Sequence, residues 1–140
     1  MSDTLDKIDE IDEQAEERLD YFVHKDGLVF AGTHLIVDLW GAKGLNDPEL
    51  IETTLRSCAD IAGATVLHFH MHAFEPDGLS GVLVLAESHI SFHSWPERAF
   101  MALDIFMCGQ TDPHKAIPVL KNAFAPETMQ LNELKRGIVN

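Results

Sequence analysis

Alternating apolar and polar positions indicate that much of the chain after residue 30 forms β-strands. Such alternation is typical of strands, because successive side chains point to opposite faces of a sheet. Gly41, the Pro76-Asp77-Gly78 sequence and Pro96 supply turn or break signals between the segments. Strands are predicted over residues 33–40, 64–74, 80–85, 89–95, 100–108 and 127–134.

Another segment carries apolar residues at helical spacing between the first two predicted strands. This helix is expected to be capped by Asn46, to hold Pro48 in its first turn and to end at Gly63. Its apolar face consists of Ile51, Leu55, Cys58 and Ala62, so Cys58 is predicted to be a core residue.

A second helix is predicted to open at Asp112-Pro113, with Ile117, Leu120 and Phe124 on one face. Pro118 lies inside this pattern and is expected to kink the helix or to delay its start. Two amphipathic helices and about six strands favour a two-layer α/β sandwich. In that architecture a largely antiparallel sheet has both helices on one face.

Composition narrows the class of protein. The chain has 140 residues and 46% of them are hydrophobic, which suits one domain with a real core. A net charge of −13 argues against nucleic acid or an anionic membrane surface as a partner. No apolar run approaches the roughly 18 residues of a membrane-spanning helix, and the N-terminus lacks the features of a secretion signal. Two cysteines are too few for a disulfide framework, so a cytoplasmic location is predicted.

Much of the acidic charge lies at the N-terminus. Residues 1–20 contain nine acidic and two basic residues, a net charge of −7 for this segment. Such a run is typical of a solubilising tail. We therefore predict a disordered or frayed acidic extension over residues 1–25 and a single domain over residues 26–140.

The first cluster of candidate groups is a set of histidines. His68, His70 and His72 alternate, so a strand places all three on one face, where they could hold zinc. Three more candidate ligands follow: His89, His93 and Cys108. The paired Cys or Cys/His spacings of closed structural zinc sites are absent, which favours half-buried structural histidines. His34 and His114 have no partner in the sequence and are also interpreted as structural.

A second cluster lies between Ala86 and Glu97. It is not a conventional serine hydrolase site, because Ser88 lacks the flanking glycines of a Gly-x-Ser-x-Gly elbow. Cys108 and His93 could instead form a pair of thiol nucleophile and base. Spacing alone does not decide between these alternatives.

Residues 86–97, AESHISFHSWPE, resemble the self-cleavage and active-site motif of short prokaryotic S-adenosylmethionine decarboxylase proenzymes. The resemblance continues through residues 32–41, 80–82 and 102–109, and covers about residues 30–135 in collinear order. It implies a pyruvoyl-dependent lyase that converts S-adenosylmethionine to its decarboxylated form and CO₂. The product of that reaction is the aminopropyl donor for spermidine synthesis.

The resemblance implies that the chain cleaves itself between Glu87 and Ser88, giving a β chain of residues 1–87 and an α chain of residues 88–140. Ser88 would become the covalent pyruvoyl cofactor, which forms a Schiff base with the substrate amine. Ser80 and His93 match the residues that assist processing, with His93 as the proton acceptor. Because a serine hydroxyl is a weak nucleophile, such assistance is chemically necessary.

The resemblance also implies roles for three residues in the decarboxylation itself. Cys108 matches the proton donor, Phe74 the aromatic ring that stacks on adenine, and Glu97 the carboxylate that binds the ribose hydroxyls. A pyruvoyl enzyme acting on a basic amino acid, arginine or ornithine, is an alternative. It is less favoured, because Phe74 and Glu97 would serve only a nucleoside. A metal-binding module built on the alternating histidines is the third interpretation.

The predicted fold also bears on assembly. A sheet with helices on one face only leaves a second face of phenylalanine, histidine and aliphatic residues exposed to water. Short members of the family that the chain resembles pair to complete their active sites. We therefore predict a homodimer of αβ protomers, with both sites at the subunit interface.

Overall fold

The computed structural model describes residues 21–139, which form one six-stranded sheet, a small hairpin and two helices. The strands are β1 (Val23–Lys25), β2 (Leu28–Phe30), β3 (Gly32–Trp40), β4 (Val66–Ala73), β5 (Leu79–Leu85), β6 (Ser88–Trp95), β7 (Phe100–Cys108) and β8 (Thr128–Arg136). The helices are α1 (Pro48–Ala62) and α2 (Ala116–Phe124), and single 3₁₀ turns cover Pro96–Arg98 and Pro113–Lys115.

The main sheet has the strand order β4-β5-β6-β7-β3-β8, and every neighbouring pair is antiparallel. The long register between β3 and β7 runs from Gly32 opposite Cys108 to Trp40 opposite Phe100. β6 and β7 also pair in a long antiparallel register, which runs from Ser88 opposite Met107 to Trp95 opposite Phe100. The predicted two-layer α/β sandwich with a largely antiparallel sheet is therefore confirmed.

Both helices cover the same face of the sheet. Alternate residues of the central strands are fully buried there, such as Leu35 and Val37 on β3 and Ile105 on β7. They pack with the apolar sides of the helices, including Leu55 and Leu120, in a single core. The face opposite this core, which we call the open face, has no helix from residues 21–139 packed on it.

The helix boundaries correct one prediction and confirm another. Asp47, not Asn46, caps α1: its carboxylate accepts a hydrogen bond from the Leu50 N–H at 3.1 Å. Pro118 does delay its helix, because a 3₁₀ turn precedes α2 and leaves Pro118 in the first turn, where a missing N–H costs little. None of the helices within residues 21–139 is long and apolar enough to cross a membrane.

The β1–β2 hairpin was not expected from the sequence. Its strands contain three residues each, too few for a recognisable alternation. A bridge from Val29 to Val139 ties the hairpin to the end of the chain. β1 uses Val23–Lys25 of the predicted extension, while residues 1–20 lie outside the described part of the chain.

Candidate active site

The open face carries the histidines and most of the other candidate residues. Strand register places His72 opposite Ser80, and Ser80 opposite His93. His89 and His34 lie on either side of Phe106 in a neighbouring row. Six of the eight histidines in the chain share this face: His34, His68, His70, His72, His89 and His93.

The Glu87–Ser88 bond lies in the tight turn between β5 and β6. Ser88 has φ of 134°, a backbone conformation that residues with a side chain rarely adopt. Residues in such regions persist only where the surrounding structure holds them, and they cluster at functional sites. The strain therefore lies at the bond that the sequence predicts to break.

Glu87 is held at both its carbonyl and its carboxylate. The Cys108 N–H donates a hydrogen bond to the Glu87 carbonyl oxygen at 3.0 Å. Thr65 donates to the carboxylate from its N–H at 2.8 Å and from its hydroxyl at 3.3 Å. A backbone N–H aimed at this carbonyl is suited to stabilise the negative charge that forms when a nucleophile attacks it.

The two cysteines differ in environment. Cys108 is half-buried beside Glu87, and burial first, then the Glu87 charge, raises the pKa of its thiol against a smaller lowering effect of its own backbone. A thiol that keeps its proton at neutral pH suits a proton donor. Cys58 is fully buried, as predicted, and burial raises its pKa to about 12. Cys58 is therefore a core residue without a role in the site.

Aromatic rings form a continuous row across the end of the open face that lies away from the Glu87–Ser88 bond. Their centroids are 5.3 Å apart from Phe74 to His93, 4.1 Å from His93 to Trp95, 5.3 Å from Trp95 to Phe100 and 4.2 Å from Phe100 to Trp40. Phe74 is 41% exposed and Trp40 is 43% exposed. Large rings left open to this extent are suited to stack on a flat ligand.

Ser80 and Glu97 lie at the same end as this row. Ser80 is paired with His93 across β5 and β6, and its hydroxyl donates to the Phe92 carbonyl at 3.3 Å. Glu97 is exposed in the 3₁₀ turn that follows Trp95. We call this region, with Phe74 and His93, the aromatic end.

Glu87, Ser88 and Cys108 form the cleavage end, and a single copy of the chain does not bring the two ends together. Ser88 begins β6, and His93 lies five residues along the same strand. At about 3.4 Å per residue, the two positions are roughly 17 Å apart. The structure therefore divides the predicted site residues into two groups.

The aromatic row was not expected as a site feature, and neither were two contacts of His89: its Nδ1 lies 3.1 Å from the Ser88 hydroxyl and its Nε2 lies 3.4 Å from Asp104 Oδ1. The alternation of His93 and Trp95 on one strand was a partial signal of the row, but Trp40 and Phe100 join it only through strand pairing.

The metal-binding alternative is not supported. Within residues 21–139 no three His, Cys, Asp or Glu side chains are grouped so as to hold a metal ion.

Comparison with known proteins decides the family. The sequence model of the S-adenosylmethionine decarboxylase family matches residues 33–137. The chain belongs to this family. The match covers the whole sheet apart from the start of β3, so the resemblance predicted from the sequence is confirmed.

Individual relatives agree with the family assignment. The S-adenosylmethionine decarboxylase proenzyme of Thermomicrobium roseum is 38% identical over 110 residues, 77% of this chain and 95% of the relative. That of Methanococcus vannielii is 41% identical over 112 residues, covering 78% and 92%. The crystal structure of the adenosylmethionine decarboxylase from Aquifex aeolicus superposes with a TM-score of 0.72 and 32% identity, covering 79% of this chain and 94% of that one. Membership of this decarboxylase family confirms the predicted enzyme class.

Proposed function

We propose that the chain is a proenzyme that cleaves itself between Glu87 and Ser88 and then decarboxylates S-adenosylmethionine. The observation that carries the proposal is the geometry of the turn. Ser88 has a strained backbone, and the Glu87 carbonyl already accepts a hydrogen bond from the Cys108 N–H. The nucleophile, the carbonyl and a donor for the developing oxyanion are thus all present at one bond.

The residues at the cleavage end fit a pyruvoyl group at position 88. Such a group supplies an electron sink for the charge left when CO₂ departs, as pyridoxal phosphate does in other enzymes. Cys108 supplies the proton that the product carbon then needs. Its backbone N–H binds the Glu87 carbonyl, and burial and then the Glu87 charge raise the pKa of its thiol, which favours the protonated form. This role requires a free thiol, which a reducing cytoplasm maintains.

The aromatic end binds the nucleoside in this proposal. Phe74 stacks on the adenine, and Glu97 accepts hydrogen bonds from the ribose hydroxyls. Trp95 and Trp40 extend the aromatic surface near the cationic sulfonium, which aromatic rings attract. The net charge of −13 also favours a cationic substrate over an anionic one.

The working unit is a homodimer in which each active site combines two chains. His93 is roughly 17 Å along β6 from Ser88 in one chain, too far to take a proton from it. Two open faces packed with their strands reversed would bring the cleavage end of one chain against the aromatic end of the other. Because a two-fold axis repeats every contact, this arrangement completes two sites at once.

The composition of the open face supports the same assembly. Ile36, Trp40 and Leu134 lie on it and are each more than a third exposed. Large apolar side chains on one continuous face are costly to leave in water, and packing a second sheet on them removes that cost. A closed interface would also exclude water from the site, which strengthens the electrostatic interactions within it.

Mass spectrometry of the purified protein tests the proposed function. We expect a β chain of residues 1–87 and an α chain that lacks one ammonia relative to a fragment beginning with serine. CO₂ should be released from S-adenosylmethionine and not from arginine or ornithine. Ser88→Ala should remain full length, whereas Ser57→Ala, on the exposed side of α1, should cleave like the wild type. A wild-type chain that stays intact, or that prefers a basic amino acid, contradicts the proposal.

A further inference from the structure

Three side chains next to the cleaved bond form a continuous polar chain. The Ser88 hydroxyl lies 3.1 Å from Nδ1 of His89, and Nε2 of His89 lies 3.4 Å from Oδ1 of Asp104. A hydroxyl, an imidazole and a carboxylate in this order are the parts of an activated nucleophile. The resemblance and the family membership assign no role to His89 or Asp104.

We assign the ring proton of His89 from the groups that its two nitrogens face. A carboxylate only accepts hydrogen bonds, so the nitrogen that faces Asp104 is the one that carries hydrogen. This leaves the lone pair of Nδ1 pointing at the Ser88 hydroxyl. His89 is therefore oriented to accept a proton from Ser88.

Asp104 is itself held from two other strands. The Ser91 hydroxyl on β6 donates to Oδ2 at 2.9 Å, and Nε2 of His34 on β3 lies 3.5 Å from Oδ1. Arg136 donates to Nδ1 of His34 at 3.0 Å, so Nε2 of His34 carries the hydrogen and faces the carboxylate. Asp104 Oδ1 and His34 Nε2 are both buried polar atoms without a hydrogen-bond partner among residues 21–139, so the contacts of Oδ1 with the two imidazoles are close polar approaches.

The strained backbone at Ser88 explains how neighbouring side chains meet. In a regular strand, residues 88 and 89 would point to opposite faces of the sheet. The φ of 134° departs from strand geometry and accompanies the contact of the Ser88 hydroxyl with His89 on the open face. A backbone conformation with an energetic cost is thus coupled to the approach of nucleophile and base.

We propose that His89 is the base for the first step of self-cleavage, and that Asp104 is a positioning residue that orients it. The Ser88 O–H bond breaks and its proton moves to Nδ1 of His89, while the Ser88 oxygen bonds to the Glu87 carbonyl carbon. The bond from that carbon to the Ser88 nitrogen then breaks, and the nitrogen takes the proton back from His89. The product is an ester with a free amine, with all atoms and protons balanced.

This inference rests on the proposed self-cleavage and divides its two proton transfers between two histidines. His89 acts within its own chain before the ester forms. His93, supplied by the other subunit, acts on the ester by taking the Cα proton in the elimination. The two roles predict different arrested states, which makes them separable by experiment.

The test follows cleavage of His89→Ala, with His70→Ala as the matched control, because His70 is an exposed histidine of the same face outside the polar chain. We expect His89→Ala to cleave about 10²–10⁴-fold more slowly than the control. Hydroxylamine, which cuts esters, should not cut the arrested His89→Ala chain, but should cut arrested His93→Ala. Added imidazole should speed cleavage of His89→Ala, because a small base can enter the space left by the ring.

Asp104→Asn and Asp104→Glu test the positioning role. The amide should slow cleavage and the longer carboxylate should restore part of the rate, with circular dichroism spectra like that of the wild type. His89→Gln, which keeps a polar side chain of similar size, replaces His89→Ala if the latter fails to fold. Cleavage of the His89 variants within 3-fold of the control, or an accumulated ester in them, overturns the inference. A wild type that cleaves but does not decarboxylate S-adenosylmethionine overturns only the proposed substrate.

Discussion

Cys108 and Glu87 are linked in a way that should change when the chain is cut. The Glu87 charge already contributes to the raised pKa of the Cys108 thiol, after burial. Cleavage adds a carboxylate at the end of the β chain, where the Glu87 carbonyl oxygen lies 3.0 Å from the Cys108 nitrogen. A second negative charge disfavours the thiolate further, so the pKa of Cys108 should rise on cleavage.

Alkylation by iodoacetamide as a function of pH measures this change, because only the thiolate reacts. We expect the midpoint for Cys108 in the cleaved wild type to lie at higher pH than in uncleaved Ser88→Ala. Cys58, buried and with a pKa of about 12, should react slowly in both and serves as the internal control. A midpoint that falls or stays fixed on cleavage would mean that the new carboxylate lies elsewhere.

Glu97→Gln should weaken substrate binding without affecting cleavage, since Glu97 belongs to the aromatic end. A hydrogen bond to a charged group contributes about 1.5–3 kcal/mol, so KM for S-adenosylmethionine should rise about 10-fold to 100-fold. Glu49→Gln, an exposed residue in the first turn of α1, removes the same charge and should leave KM unchanged. Equal KM values for the two variants would exclude a ribose contact of Glu97.

The residues of the site differ in how far a sequence could predict them. Those within the motif, such as Ser88 and His93, were predicted from a contiguous resemblance, and their roles stay predictions. The contacts of His34 were not predicted, and it was interpreted as structural because no neighbour in sequence pairs with it. Asp104 is 70 positions away from it and becomes its neighbour only through the pairing of β3 and β7. The pairing of strands that are distant along the chain sets such contacts, and no pattern near either residue indicates which strands pair.

At the scale of elements, the cap of α1 was predicted at Asn46 but is formed by its neighbour Asp47. Asn46 and Asp47 are both good helix caps by type, so sequence alone gave no reason to prefer either. The structure uses Asp47 for the cap and Asn46 to hold the β4–β5 turn. The Asn46 side chain donates to the Asp77 carboxylate and accepts from the Gly78 N–H, both at 3.1 Å.

These adjacent residues should therefore have separable effects. The Gly78 carbonyl accepts from the Phe74 N–H at 2.9 Å, so Asn46→Ala should loosen Phe74 and raise KM about 3-fold, the effect of one net hydrogen bond. Asp47→Ala should instead lower the free energy of unfolding by about 0.5–2 kcal/mol through loss of the cap, with KM unchanged. Urea unfolding and steady-state kinetics on both variants make the comparison. A KM effect in Asp47→Ala alone would contradict it.

The elements themselves were predicted well where periodicity was long. The six strands of the main sheet and both helices follow predicted patterns of six or more residues, and their observed bounds differ from the predicted ones by a few residues. The β1–β2 hairpin was missed because its strands are too short to show a pattern. The order of strands in the sheet could not be predicted from the sequence either, because the placement of β3 between β7 and β8 depends on contacts distant along the chain.

The proposed dimer makes a specific prediction about which chain supplies each group. Ser88 and Cys108 belong to one cleavage end, because the Cys108 N–H binds the Glu87 carbonyl of the same chain. His93 lies at the opposite end of β6 and must come from the partner chain if it acts on Ser88. Neither Ser88→Ala nor His93→Ala should therefore cleave when it is expressed alone.

Co-expression of these two variants with different tags tests the arrangement. In a mixed dimer, Ser88 of the His93→Ala chain faces the intact His93 of the Ser88→Ala chain, so that one site is complete and the His93→Ala chain should be cut. Random pairing of equal amounts places about half of the His93→Ala chains in mixed dimers, which sets the expected yield of cleavage. Pairing His93→Ala with a Ser88→Ala/His93→Ala double variant leaves no complete site and is the control. If purified mixed dimers contain only intact chains, Ser88 and His93 do not meet across the interface, and the shared site is wrong.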